Sequence, residues 1–160
     1  MKIVTNQNKK DDKSLRRPTA AFDFKAFKKG EIKELVKLMR QSMIEADGIG
    51  LSANQIGLDL KVFVAKVDNK FYSVFNPELI QLSKETVNME EGCLSVPGVF
   101  GTVERPEKLT LKGWDANGKP IKMKAWGLLA RVFQHETDHL NGKLFIDKAK
   151  NIQKPPVIQK

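Results

Sequence analysis

The stretch QHETDHLNG at residues 134–142 constrains this chain most, because it places two histidines four positions apart. On an α-helix His135 and His139 lie one turn apart on the same face, so both imidazoles can bind one divalent metal ion. Glu136 between them remains free to move protons. Chance copies of this string occur on solvated helices. Here apolar residues precede it at helical spacing, ending at Val132, and the histidines continue that stripe. The pattern therefore favours the helix of a metallohydrolase.

The third metal ligand must come from elsewhere in the chain. One class of zinc peptidases supplies a histidine six positions after the second, and that position holds Phe145. Another class supplies a later glutamate, but none follows Glu136, and the only acid beyond the motif is Asp147. The remaining candidate is Cys93, the only cysteine, within EEGCLS at residues 90–95. A buried, inert thiol is the alternative. The flanking glycine and acids are a poor setting for a core thiol and favour a ligand.

Length and composition limit the class of protein. With 160 residues and 41% hydrophobic content, we expect a single catalytic domain over residues 1–160. One cysteine fits a reducing compartment, and no signal-peptide core or membrane-length apolar run is visible. We therefore expect a cytoplasmic protein, or one of an organelle's matrix or stroma, with no membrane partner. A net charge of +9 favours polyanions such as the ribosome surface. Without an aromatic platform or nucleic-acid motif, the lysines indicate a solvated surface and no specific nucleic-acid site.

Hydrophobic periodicity and turn residues predict a mixture of one long helix, several strands and the histidine helix. A helix is predicted over residues 27–46, ended by Asp47 and Gly48. The chain ends are interpreted as an irregular N-terminal segment over 1–24 and a flexible tail over 151–160, where Pro155 and Pro156 disfavour a helix. The predicted strands are two hairpins (60–67 with 70–75, closed by Asn76-Pro77, and 109–114 with 120–125) and short strands near 86–89 and 101–105.

Three separated strings together resemble the motifs of peptide deformylases, in the family's order and approximate spacing. They are GIGLSANQ at 48–55, EGCLS at 91–95 and QHETDH at 134–139, and the likeness covers roughly residues 27–147. The resemblance implies an α+β fold with antiparallel β-sheets around a central helix that carries the metal-binding histidines. It also implies an enzyme, a metal-dependent hydrolase that removes the N-formyl group from the N-terminal formyl-methionine of newly synthesised polypeptides and releases formate.

The resemblance further implies a role for each matching residue. A metal ion bound by Cys93, His135 and His139 would lower the pKa of a water in the fourth position, and Glu136 would accept its proton. Fe(II) is the metal that the family points to, with Zn, Ni or Co as alternatives, because the ligand types alone do not select one. Among the other matching residues, Gln55 and the backbone N–H of Leu94 would stabilise negative charge. Ile49, Gly50 and Gly92 would contact the peptide main chain. Leu128 and Val132 would line a pocket for the methionine side chain.

Three supporting positions complete the hypothesis. Glu91 resembles the family acid that pairs with a later arginine, here Arg105, and would brace the cysteine segment. Asp138 either orients a metal ligand or caps a local charge, and the sequence leaves both open. Ser52 departs from the alanine usual in the family, which puts the packing behind Gln55 in question.

Two other classes of function compete with this hypothesis. One is a different metal-dependent amidase or peptidase with the same ligands, which substrate preference would distinguish. The other is a basic domain with a structural zinc, bound to RNA. Structural zinc sites are closed by four protein ligands, whereas only three are convincing here, and this count favours catalysis.

Overall fold

The protein's structure, a computed structural model, describes residues 1–154 and has an α+β fold within them. Three α-helices and eight strands make up this described part. The helices are α1 (Lys9–Leu15), α2 (Lys29–Glu45) and α3 (Gly127–Leu140). The strands are β1 (Gly50–Ser52), β2 (Val62–Val67), β3 (Lys70–Ile80), β4 (Thr86–Cys93), β5 (Val96–Pro106), β6 (Lys108–Trp114), β7 (Pro120–Trp126) and β8 (Lys150–Gln153). None of the described helices is both long and apolar enough to cross a membrane.

The strands form two antiparallel sheets with α3 between them. The five-stranded sheet has the order β1-β2-β3-β6-β7, and the three-stranded sheet has the order β4-β5-β8. The apolar stripe of α3, which includes Phe133 and Leu140, packs on the large sheet against Phe63 and Leu111. Its opposite side reaches the small sheet through the polar side chain of Arg131, which donates to backbone carbonyls of β4 and β5. The predicted fold, antiparallel sheets around the histidine helix, is confirmed.

Helix α2 covers the other face of the large sheet over β1 and β2. Met39 and Met43 are fully buried there, so the methionines fill a core as their helical spacing predicts. The helix begins two residues later than the predicted boundary, because Phe27 stacks on Phe22 with ring centroids 4.7 Å apart. Glu31 accepts a hydrogen bond from the Lys28 N–H at 2.6 Å and thereby caps the first turn.

The two predicted hairpins are present, but the first one extends further than its turn residues suggest. Asp68 and Asn69 form its turn with φ of 51° and 61°, as a tight hairpin requires. Asn76 and Pro77 do not end β3, which continues to Ile80 through a bulge. The Asn76 side chain accepts from the backbone N–H of Phe22 at 2.7 Å and donates to its carbonyl at 3.0 Å. These bonds hold the bulge, so the prediction that the strand ends there is wrong.

Strands β4 and β5 are longer than predicted, at 8 and 11 residues. Seven of the 8 residues of β4 lie at least partly exposed, so apolar alternation marks only a short part of it. The register between the two strands shifts between Gly92 and Cys93. This irregularity ends the regular pairing at the residue that faces the histidines.

The described parts of both terminal segments contain regular elements that the sequence did not predict. The segment 1–24 contains α1, which Asn8 caps by accepting from the Asp11 N–H at 2.9 Å. Its only buried residue, Leu15, packs with the small sheet, and one apolar anchor is too little for a periodic signal. Of the predicted flexible tail, residues 151–153 instead belong to β8, which pairs with β5. Residues 155–160, with both prolines, lie outside the described residues.

Candidate metal centre

Three donor atoms predicted to bind metal converge between α3 and the end of β4. The Nε2 atoms of His135 and His139 lie 3.2 Å apart, and the Cys93 Sγ lies 3.2 Å from the Nε2 of His139. All three donor atoms lie within 4.8 Å of one another. Helical spacing brings the histidines together, and the register shift at Gly92 brings in the thiol from the other sheet.

These donors fit a divalent metal ion. Tetrahedral coordination with metal–nitrogen bonds near 2.05 Å separates two nitrogens by about 3.3 Å, close to the spacing seen. Burial opposes charge on His135, but bonds with Cys93 and Glu91 outweigh it and raise its pKa to about 10. The pKa of His139 is lowered by burial and by the positive charge of His135. Two imidazoles and one thiol are a donor set that suits a borderline divalent ion.

The side chain of Glu136 extends from α3 towards β1. It is 3% exposed, and the Ser52 hydroxyl lies 2.8 Å from its Oε2 and 2.9 Å from its backbone carbonyl. Gly50 leaves space for the carboxylate, since a Cβ at Gly50 would overlap it. Burial raises the pKa of Glu136, and His135 and Ser52 partly offset the rise. Ser52, which replaces the alanine usual in the family, thus provides a hydroxyl that contacts this carboxylate.

Gln55 lies at the end of a 3-10 turn, Ala53–Ile56, that follows β1. Its Oε1 accepts from the Ser52 N–H at 2.9 Å, so the amide nitrogen points towards the donor atoms. That nitrogen lies 3.1 Å from the Ser95 hydroxyl and 3.7 Å from the Cys93 sulfur. Leu94, which lies between Cys93 and Ser95 in the sequence, lines the cavity beside the donor atoms. The two groups predicted to stabilise negative charge are thereby brought to the site.

A buried ion-pair network contacts the candidate metal ligands. Glu91 accepts from the Nε of Arg105 at 2.6 Å, from its Nη2 at 3.0 Å and from the Nδ1 of His135 at 2.8 Å. These donors lower the pKa of Glu91 although burial alone would raise it. Arg105 also donates to Asp138 at 2.8 Å. The observed partners of Asp138 are thus Arg105 and Lys148, which corresponds to the charge-capping alternative.

Arg131 is a member of this network that sequence reasoning missed. Its Nη1 lies 2.6 Å from Glu91, and its guanidinium also donates to the carbonyls of Val87 and Val103. A signal for it exists in the sequence, because Arg131 is a charged residue within the apolar run before His135 and lies about one helical turn from it. Asn54 was also missed; it donates to the His139 carbonyl at 2.7 Å.

A cavity of about 680 Å³ opens beside the donors, and every residue predicted to contact substrate lines it. Gly92 lies against Phe100 so closely that a Cβ would overlap the ring. Val132 is 5% exposed and Leu128 is 45% exposed, so the predicted methionine pocket has a deep and a shallow wall. The lining residues that the sequence predicts are Ile49, Gly50, Gln55, Gly92, Cys93, Leu94, Leu128, Val132, His135 and Glu136.

Comparison with known proteins agrees with this geometry. The family model described as polypeptide deformylase matches residues 1–155. The chain belongs to the peptide deformylase family. A peptide deformylase of Carboxydothermus hydrogenoformans is 48% identical over 119 residues, covering 74% of this chain and 78% of the relative. Peptide deformylase 1 of Pseudomonas syringae pv. tomato is 45% identical over 132 residues, covering 81% and 79%.

Solved structures of deformylases share the fold. The Thermotoga maritima enzyme has a TM-score of 0.85 and 35% identity over 93% of this chain and 97% of its own. The Synechococcus elongatus enzyme in complex with actinonin has a TM-score of 0.85 and 36% identity, covering 94% and 79%. The chain is therefore a metallohydrolase that removes the N-formyl group from nascent peptides, as its three motifs predict. This function separates it from the two competing classes considered above.

Proposed function

We propose that Cys93, His135 and His139 bind the metal ion of this deformylase, and that Glu136 transfers the proton. The observation that carries this proposal is the convergence of three donors on a cavity beside a buried carboxylate that is not one of them. A bound divalent ion supplies a Lewis acid and lowers the pKa of a water molecule in the site. Structural sites are closed by four protein ligands, so a set of three would suit a catalytic ion.

Glu136 handles the proton in both halves of the reaction. Its carboxylate accepts a proton from water as the water oxygen attacks the formyl carbon. It then gives the proton to the leaving amine as the carbon–nitrogen bond breaks, so formate and a free N-terminus are released. Burial raises the pKa of Glu136 and brings it closer to the neutral range in which such a base works best.

Gln55 and Leu94 stabilise the negative charge that develops on the formyl oxygen. The bond from the Ser52 N–H fixes the Gln55 carboxamide, so its nitrogen is presented as a donor without further ordering. The backbone N–H of Leu94 supplies the second donor. Preorganised donors of this kind typically contribute about 3 kcal/mol each to lowering the barrier.

The substrate peptide lies along the cavity, with main-chain contacts at Ile49, Gly50 and Gly92 and its methionine side chain against Leu128 and Val132. A Cβ at Gly50 would overlap Glu136 and one at Gly92 would overlap Phe100, so neither position carries a side chain where the peptide would lie. An extended peptide beside β1 and β4 would pair like an added strand.

Fe(II) is the metal we propose for the native enzyme, with Zn, Ni and Co as substitutes. Two imidazoles and one thiolate are compatible with all four ions. An iron–thiolate pair is sensitive to oxidation, and Cys93 would be the residue damaged. We further propose that the enzyme works in the cytoplasm or in an organelle's matrix or stroma, and that it meets its nascent substrates at the ribosome surface.

The test is formate release from a short formyl-methionyl peptide by protein purified without oxygen and loaded with Fe(II) or Ni. We expect rapid release by the native chain and a loss of at least about 100-fold in Glu136→Gln. Asp68→Asn, an exposed change in the β2–β3 turn, is the matched control and should keep full activity. Equal activity of Glu136→Gln and the native chain would show that another group moves the proton.

A further inference from the structure

The hairpin of β6 and β7 presents one face that α3 does not cover. Side chains alternate across a strand, so every second residue of the hairpin shares this face, while the intervening Leu109 and Leu111 enter the core. Helix α2 packs on the same side of the sheet over β1 and β2. The exposed lysines and tryptophans on this side of the two strands, here called the lysine–tryptophan face, are Lys108, Lys112, Trp114, Lys122, Lys124 and Trp126.

The two tryptophans of the chain lie at opposite ends of this face. Trp114 is 40% exposed and pairs across the hairpin with Pro120, whereas Trp126 is 68% exposed and pairs with Lys108. Six residues of strand separate the two ends, which is about 20 Å. Tryptophan is usually buried in large part, so two exposed tryptophans on one sheet face leave aromatic surface free to contact a partner.

The lysines between the tryptophans repel one another. Lys112 lies directly opposite Lys122, and like charges in that position destabilise a hairpin. Within residues 1–154, no ion pair includes any of the four lysines of the face. Glu78 of β3 is opposite Lys112 and is the one acid that the strand register brings to this group. An anionic partner would relieve the repulsion.

We propose that the lysine–tryptophan face binds single-stranded RNA. Lysines contact phosphates, and exposed indole rings stack on unpaired bases, which is the combination that sequence-tolerant RNA-binding sheets use. The linear sequence hides the platform, because the two tryptophans are separated in sequence and only the strand register places both among lysines.

One end of the face is close in sequence to the catalytic cavity. Trp126 is the last residue of β7, and Leu128, two residues later in the first turn of α3, lines that cavity. The rest of the face lies on the side of the sheet that α3 does not cover. RNA binding at this face does not depend on catalysis.

The experiment measures binding of the metal-loaded protein to a fluorescein-labelled oligouridine of about 12 nucleotides by anisotropy, at several salt concentrations. The variant Lys112→Glu/Lys122→Glu removes the central charges of the face. Lys9→Glu/Lys13→Glu on α1 changes the net charge equally on another part of the molecule. We expect the first variant to bind at least about tenfold more weakly and the second to change less than about threefold.

A third variant tests stacking at constant charge. Trp114→Leu/Trp126→Leu should weaken binding by about tenfold or more and leave formate release unchanged. The proposal is overturned if both lysine variants weaken binding equally, if the leucine variant binds as tightly as the native chain, or if no saturable binding occurs. Stronger binding to phosphatidylserine vesicles than to RNA, lost in the same variants, would also overturn it in favour of a membrane surface. Because formate release is measured separately, loss of RNA binding and failure of the proposed function are distinguishable.

Discussion

Gly50 shows how one missing Cβ governs catalysis at the scale of a residue. A Cβ at this position would overlap the carboxylate of Glu136, which is buried and cannot move into solvent. We predict that Gly50→Ala lowers kcat for formate release by about 100-fold, because misplacing a catalytic group by about 1 Å has effects of this size. We expect only a small change in the free energy of unfolding, so the loss of activity would not result from unfolding.

Gly30 provides the matched control for this substitution. It lies in the first turn of α2 with nothing within 4 Å of an added Cβ. Gly30→Ala should keep full activity and raise the unfolding free energy in urea by up to about 1 kcal/mol. Normal activity of Gly50→Ala would contradict the close approach of β1 and Glu136.

Arg105 joins β5 to β4 and α3 at the scale of secondary structure elements. It is 2% exposed and binds both Glu91 and Asp138. We predict that Arg105→Ala lowers the unfolding free energy by about 3 kcal/mol, because it removes a charged partner from the buried Glu91 and from Asp138. Since Glu91 also orients His135, the amount of bound metal and the rate of formate release should fall in this variant as well.

An exposed ion pair serves as the control for Arg105. Arg17 and Asp59 lie 3.4 Å apart with side chains 73% and 55% exposed. Arg17→Ala should change stability by less than about 1 kcal/mol. Metal content measured by atomic absorption decides the outcome, and full metal content with full activity in Arg105→Ala would show that the brace is not needed.

The end of α1 is attached to the segment after α3 by Arg16 and Asp147, which lie 2.6 Å apart. Burial raises the pKa of Asp147, but the bond to Arg16 outweighs it, and the net pKa lies below its ordinary value of 3.8. A carboxylate whose pKa is lowered by folding stabilises the fold above pH 3.8 and loses this contribution as pH falls through the lowered pKa.

We therefore predict that Asp147→Asn is less stable than the native chain at pH 7 and that the difference shrinks below pH 3.8. The difference at pH 7 should be below about 1 kcal/mol, because both side chains are about one-third exposed. Urea unfolding of the metal-free proteins measures it, with Asp68→Asn as a control for the charge change. A difference that grows on acidification would contradict the ion pair.

At the scale of the whole molecule, the metal donors connect α3 to the small sheet, and we propose that the chain unfolds as a single domain. Metal removal by a chelator should lower Tm by several degrees, because a ligand that binds only the folded state stabilises it. Cys93→Ser, whose affinity for metal is reduced, should respond less to the chelator. Thermal unfolding followed by circular dichroism gives both values, and two separate transitions in the native chain would contradict a single domain.

The structure brings the predicted site residues together around one cavity, whereas several predicted element bounds differ from those observed. His135, Glu136 and His139 follow from helical spacing, and Cys93 follows from the absence of another ligand, because a metal centre restricts both residue type and distance. Arg131 escaped notice because its role depends on carbonyls of two strands that lie far from it in sequence. The hydrogen-bond partners of Arg131 depend on the fold, and no local sequence pattern indicates them.

Elements held by a few tertiary contacts were also missed. Helix α1 has one buried residue, and the described residues of β8 are all exposed, so neither shows hydrophobic periodicity. The continuation of β3 past Asn76 depends on hydrogen bonds to Phe22, 54 residues away in sequence. Local rules assign a turn to Asn-Pro, and a distant backbone overrides it.

The position of both tryptophans on one exposed hairpin face affects how this protein can be observed. Their rings are 40% and 68% exposed in the folded chain, so their surroundings already resemble water. Their emission maximum should therefore move little when the chain unfolds, and a melting curve recorded by intrinsic tryptophan emission would understate the loss of structure. Tyr72, which packs edge-on against Phe133 in the core, is the better internal reporter of folding.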